Sequence, residues 1–245
     1  MIERRYDAGR SNPREVCITV VNPDSLAATL DVVNEAFFFE RPLSKSDREE
    51  TAKWIACRQG EPGSYANMFA PTESDYREGV RLFTGERIRS GAATGHILGE
   101  EACRALILLD VSSADVRNAL DRAGFGMMER LKRSEASGTT LGTYCCGTCT
   151  CSLWRHLAVG GLESGERRLV AGMKALKAHR EGNGRWRRFP FYYTLLALSE
   201  IELPSAVEEM RYASTVCERY LRRRPEQNKI GERRRLLAER VLEMC

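Results

Sequence analysis

Apolar residues recur along this chain every three or four positions, the spacing of one face of a helix rather than of a strand. The pattern predicts helices over residues 46–59, 95–110, 124–133, 141–158, 166–179 and 190–200. They alternate in kind. Amphipathic runs (SDREETAKWIACRQ, FGMMERLKR, ERRLVAGMKALKAH) are followed by more apolar ones (GHILGEEACRALILLD, TLGTYCCGTCTCSLWRHLAV, PFYYTLLALSEI). In the amphipathic runs Phe125, Met128 and Leu131 share a face, as do Leu169, Val170, Met173 and Leu176. The apolar runs should be buried.

Between each pair lies a glycine-rich turn: Arg58–Gly63, Arg133–Gly138 and Arg180–Gly184. A helical hairpin cannot bury its apolar face alone, so three such units should stack on one another, with insertions in loops. Ser46 with Glu49, and Ser205 with Glu208, have the spacing of capping boxes, and Thr72 with Asp75 should cap a short insert helix that stops near Gly85. A further helix is expected over residues 25–40, ending in Phe37, Phe38 and Phe39, and a last one over about 226–245, with Ile230, Leu237, Val241 and Met244 on one stripe. Only Val16–Val21 alternates as a strand would. The fold class expected is all-α: helical-hairpin repeats over residues 46–204, an N-terminal segment and capping helix over 1–45, and C-terminal basic helices over 205–245 packing on the core.

Composition adds limits. With 42% hydrophobic and 29% charged residues over 245 positions, the chain has ample material for a core. No apolar run reaches the roughly 18 residues that span a bilayer. The first ten residues, MIERRYDAGR, lack the apolar stretch of a secretory signal, so a cytoplasmic protein without a membrane span is expected. The net charge of +4 is unevenly placed: nine Arg or Lys stand against four Glu between Arg219 and Cys245. Such a tail suits nucleic acid or an acidic partner, or it is a solvated helix face with Arg–Glu pairs.

Three groups of residues carry candidate chemistry. Four of the nine cysteines crowd into Cys145, Cys146, Cys149 and Cys151. On one helix, Cys145, Cys149, Ser152 and His156 would form a stripe. Cys145 and Cys149 could then supply two zinc ligands, with others from outside, while His156 lies too far along the axis for the same ion. Cys146 and Cys149 offer a second pair. Equally, cysteine serves as a small buried hydrophobe where helices approach closely. His96 and Glu100, one turn apart in an apolar helix, are costly to bury unless paired or functional; the bland alternative is a helix N-terminus favouring acids. Trp186, Phe189, Phe191, Tyr192 and Tyr193, beside Arg185, Arg187 and Arg188, form core or line a ligand pocket with cations near a helix start. The ligand-binding set expected from these groups is His96, Glu100, Tyr144, Trp186, Arg188 and Tyr193, converging on one concave face.

The alternation of outer and inner helices, and turns like Glu181-Gly182-Asn183-Gly184-Arg185-Trp186, resembles the terpenoid cyclase and protein prenyltransferase superfamily. So does the segment GTYCCGTCTCSLWRHLAVGG, which is similar to an inner helix of that superfamily. The resemblance covers about residues 50–203. It implies an α/α toroid around a central apolar cavity, here an incomplete arc of about three hairpins. It also implies an apolar ligand or protein partner on the concave face, or a metal-dependent enzyme acting on an isoprenoid. The acidic motif that starts carbocation chemistry in cyclases is absent. The Asp-x-Cys zinc motif of the transferases is approached only by Glu101-Ala102-Cys103 and Cys149-Thr150-Cys151.

Overall fold

In the computed structural model, which describes residues 19–223 and 227–245, the chain is all-α; among the described residues strand pairing is confined to isolated bridges. Ten helices follow in order: α1 (Leu26–Phe38), α2 (Lys45–Ala56), α3 (Glu73–Glu78), α4 (Gly91–Leu109), α5 (Ala114–Ala136), α6 (Gly147–Ala158), α7 (Gly165–Lys177), α8 (Phe191–Leu198), α9 (Pro204–Arg222) and α10 (Lys229–Glu243). No helix among the described residues is long and apolar enough to cross a membrane. Of the alternating segment at Val16–Val21, residues 16–18 lie outside the described residues.

The apolar helices are the inner ones. α4 packs between α1 and α6, α6 against α8, and α8 against α10. The amphipathic helices cover them: α2 and α5 lie on α4, α7 on α6, and α9 on α7, α8 and α10. α4 is buried on nearly every side, from Thr94 to Leu106; its apolar residues meet the neighbouring helices, and its buried His96, Glu100, Glu101 and Arg104 are hydrogen-bonded to polar partners. Each fully buried leucine, such as Leu106 or Leu195, contributes on the order of 2 kcal/mol. Two of the three turns share a detail below the resolution of sequence: Gln59 bridges Phe69 and Arg180 bridges Trp186, in antiparallel sense.

Several local expectations are corrected. α2 is capped by Ser44, whose hydroxyl accepts from the Asp47 amide, and not by Ser46. α9 begins with Pro204 after Leu203 and has no side-chain cap, so Ser205 and Glu208 form no box; proline at the first position fixes the start instead. The Thr72–Asp75 box forms, but its helix stops at Gly79, with φ 75°, well before Gly85. α5 is much longer than 124–133, and its buried stripe runs Val116, Ala119, Ala123, Met127 and Leu131, which leaves Phe125 facing solvent. Val170 is likewise exposed, leaving Leu169, Met173 and Leu176 as the buried stripe of α7. On α10, Leu237 and Val241 are buried and Met244 is exposed.

The basic C-terminal segment is part solvated face, with Arg222–Glu218 and Arg235–Glu239 paired one turn apart, and part tied down. Arg233 is buried, grips Asp31 and Glu35 of α1, and lies 3.9 Å from the ring centre of Phe83. Lys229 pairs with the same two acids, Arg234 donates to the Thr84 carbonyl and Arg240 to the Phe38 carbonyl. Of the charge that sequence offered to nucleic acid, Lys229, Arg233, Arg234 and Arg240 fasten α10 to α1 and to the loop before α4, while Arg219, Arg222 and Arg223 stay exposed. Arg224, counted in the same tail, lies outside the described residues.

The interior between α1, α4, α6 and α8 is polar. Arg155 of α6 donates to Glu101 of α4, to Glu200 just after α8 and to Asn34 of α1. Arg104 donates to Asn34 and Glu200, and Tyr193 of α8 donates to Glu101 at 2.7 Å. Burial alone would push the Arg155 guanidinium toward neutrality; Glu101 and Glu200 instead hold it firmly charged. For Glu200, burial opposes the charge, but Arg104 and Arg155 bring its pKa below the usual carboxylate value. A gap of only about 30 Å³ remains beside this network, about the volume share of one water.

A candidate thiolate site at the start of helix α6

The predicted helix over 141–158 begins only at Gly147. Gly142 adopts φ 76°, its carbonyl accepts the Trp154 indole N–H at 2.7 Å, and the Tyr144 amide donates to Thr150 Oγ1 at 2.9 Å. These contacts fold residues 141–146 into a turn lying back on the helix. Cys145 therefore stands outside α6, and the stripe of Cys145, Cys149, Ser152 and His156 does not form. Cys146 is the N-cap instead, its sulfur 3.5 Å from the Cys149 amide that donates to it.

The turn produces a different grouping. Cys145, Cys146 and Cys149 place their three Sγ atoms within 4.8 Å of one another, two exposed and one buried. Sequence spacing offered Cys145 with Cys149 and Cys146 with Cys149 as separate pairs; the non-helical turn brings the three together. Hydrogen bonds from the Cys145 and Cys149 thiols, joined by amides at the helix start, hold the Cys146 thiol far below its ordinary range. The Cys145 and Cys149 thiols are pushed up, chiefly because each donates a hydrogen bond within the triad. Cys151 is not a member: it is buried against Thr194, and burial raises it to about 12. Cys103 is likewise buried and raised, and Glu101 beside it is committed to Arg155, so Glu101-Ala102-Cys103 offers no ligand pair.

His96 and Glu100 are brought together, but not at a helix start. α4 begins at Gly91, so Glu100 lies in mid-helix and is 0% exposed. It is held between two imidazoles, His96 Nε2 at 3.2 Å and His156 Nδ1 of α6. Burial raises its pKa, but His156 and His96 overrule this and bring it to about 2. The His96 ring packs on Tyr144, centres 4.6 Å apart, and on Tyr65; the two tyrosine hydroxyls bond each other, and the Arg130 guanidinium donates to both. A chain of polar groups thus runs from the surface at Arg130 to His156. His156 was read with the cysteines, yet its partner is a carboxylate on the neighbouring helix. A histidine in an apolar helix was the signal, and the helix pairing was the part that sequence could not supply.

The remaining candidates separate. Tyr193 belongs to the buried Glu101–Arg155 network. Trp186 is buried against α9, its indole N–H donating to Glu209 at 2.8 Å. Arg188 is exposed beside the cysteines: Arg188, Cys146 and Thr148 all line a surface cleft of about 710 Å³. The six expected ligand residues therefore fall into four places rather than one concave pocket.

No protein-family model, curated protein or solved structure matches this chain.

Proposed function

We propose that this chain is a metal-binding protein whose Cys145–Cys146–Cys149 centre holds one soft cation, zinc foremost, with one coordination position left open to the surface. The observation that carries the reading is the mutual approach of three thiols at the start of α6, within 4.8 Å. Zn–S bonds of about 2.3 Å in a tetrahedron set sulfurs about 3.8 Å apart, so the triad needs to close by about 1 Å at most. Thiolates favour zinc and copper(I) over hard cations. The depressed Cys146 thiol and the amides around it favour a thiolate at that position, while Cys145 and Cys149, pushed up within the triad, would release their protons to the binding metal. Three protein ligands with a fourth position open is the arrangement of catalytic rather than structural zinc.

The order of hairpins supports an incomplete α/α arc of the terpenoid cyclase kind as the frame for this centre. It does not favour an apolar ligand or protein partner in the middle of that arc, because the Arg155 network and its gap of about 30 Å³ occupy it. Chemistry of the prenyltransferase kind would have to run at the end of the arc, on the three cysteines.

The test is metal stoichiometry. Reduced protein, stripped of metal and titrated with cobalt(II) and zinc(II) against a chromophoric chelator, is expected to take up one equivalent and to show thiolate-to-cobalt charge transfer. Cys146→Ser and Cys149→Ser should lose that equivalent, and Cys151→Ser should keep it. Wild-type protein that binds neither ion, or variants that bind as wild type does, would end the proposal.

A further inference from the structure

The cleft beside the cysteines has a composition that a metal site does not explain. It is walled by Arg87 and Arg89 from the loop before α4, by Arg188 from the loop before α8, and by Glu86. The three guanidinium groups are exposed, and none has a hydrogen bond, ion pair or ring contact among the described residues, so all three are free to meet a ligand. Glu86 is turned inward, accepting from the Thr84 hydroxyl and the Tyr193 amide. Three cations against one anion leave two positive charges unanswered.

Three helices also begin at this cleft. Ser90 caps α4, Cys146 caps α6 and Pro190 precedes α8, and all three residues line it. The partial positive ends of α4 and α6 thus lie where the arginines already stand, while Glu86 answers the start of α8 through the Tyr193 amide. The lining also has an apolar part, Ile88, Ile97 and Phe189, the last stacked on Trp154 with centres 5.7 Å apart. Close approach of the two loops is built in. The Arg188 carbonyl lies 2.2 Å from where a Cβ on residue 147 would be, so only glycine there admits it, and Arg188 itself is held at φ 69°.

We infer that this cleft is a binding site for a dianionic phosphoryl group carried on an apolar or aromatic body, held by Arg87, Arg89 and Arg188 beside Cys146. A phosphate monoester matches the uncompensated charge and the guanidinium forks. The cleft volume of about 710 Å³ leaves room for the rest of such a molecule against Ile97 and Phe189. The site stands on the arginines and the helix starts, and it does not require the thiols to hold metal.

Phenyl phosphate titrated into reduced, metal-free protein by calorimetry tests it. Saturable binding of one equivalent is expected. Arg188→Gln, and Arg87→Gln with Arg89→Gln, should each weaken it at least about tenfold, the loss of one to two charge-assisted contacts. Arg117→Gln, on the exposed face of α5, should leave it unchanged, and binding by the metal-free protein separates this site from the metal centre. Benzoate, with the same ring and a single charge, should bind at least about tenfold more weakly. Absence of saturation, equal loss in Arg117→Gln, unaltered binding in the Arg188 and Arg87/Arg89 variants, or benzoate binding as tightly would overturn the assignment.

Discussion

Glu100 is the clearest case of a residue whose surroundings set its chemistry. A carboxylate with no exposure would ordinarily take up a proton; between His96 and His156 it keeps its charge down to about pH 2. Its folded-state pKa lies below the unfolded value of 4.5, so the stability it contributes is present above pH 4.5 and is lost as pH falls toward 2. Glu100→Gln keeps the shape and removes the charge. We expect it to cost about 3 kcal/mol at neutral pH, as for one partner of a buried pair, and to flatten the fall in stability on the acid side. Urea unfolding followed across that range reads both effects. A variant whose acid profile runs parallel to wild type would show that the two imidazoles do not hold Glu100 ionised.

At the scale of elements, α6 is placed by close approaches rather than by apolar area alone. Its Trp154 reaches over to the Gly142 carbonyl and packs on Gly172 of α7, where an added Cβ would lie 2.4 Å from the indole nitrogen. That contact permits α7 to lie on α6 and also pins the turn that carries Cys145 and Cys146 out of the helix. Gly172→Ala is expected to destabilise the protein by about 2 kcal/mol through overpacking, and to loosen the Trp154 environment. Near-ultraviolet circular dichroism and denaturant unfolding would check it, and a variant of wild-type stability with an unchanged tryptophan signal would speak against this role. The helix itself was legible in the sequence from its apolar period. Its first residue was not, because Gly142 and the Tyr144–Thr150 bond act through the tertiary turn.

The molecule as a whole is organised around Arg155. The guanidinium ties α4, α6, the end of α8 and α1 together through Glu101, Glu200 and Asn34. Arg155→Met should cost about 3–5 kcal/mol, because Glu101 loses its cation in a buried place while Glu200 keeps Arg104. Adding Glu101→Gln to the same chain should recover part of that loss, since the stranded charge is then gone. Thermal unfolding of the single and double variants measures the difference. A double variant less stable than Arg155→Met would mean that packing, not charge pairing, holds this centre.

What the sequence determined by itself is the helical character of the chain, the order of amphipathic and apolar helices, and the crowding of cysteines near one of their starts. Those features rest on local periodicity and on neighbours in the chain, such as the Thr72–Asp75 cap. Tertiary structure alone decided which polar groups meet. His96 and His156 are sixty residues apart and close on one carboxylate, while Cys145 joins Cys146 and Cys149 only because the chain turns before α6. Arg188 reaches the start of α6 over a glycine, and Lys229 and Arg233 of α10 pair with Asp31 and Glu35 at the other end of the chain. A charge or a thiol has no periodicity to reveal its partner; long-range pairing is fixed by how the helices stack.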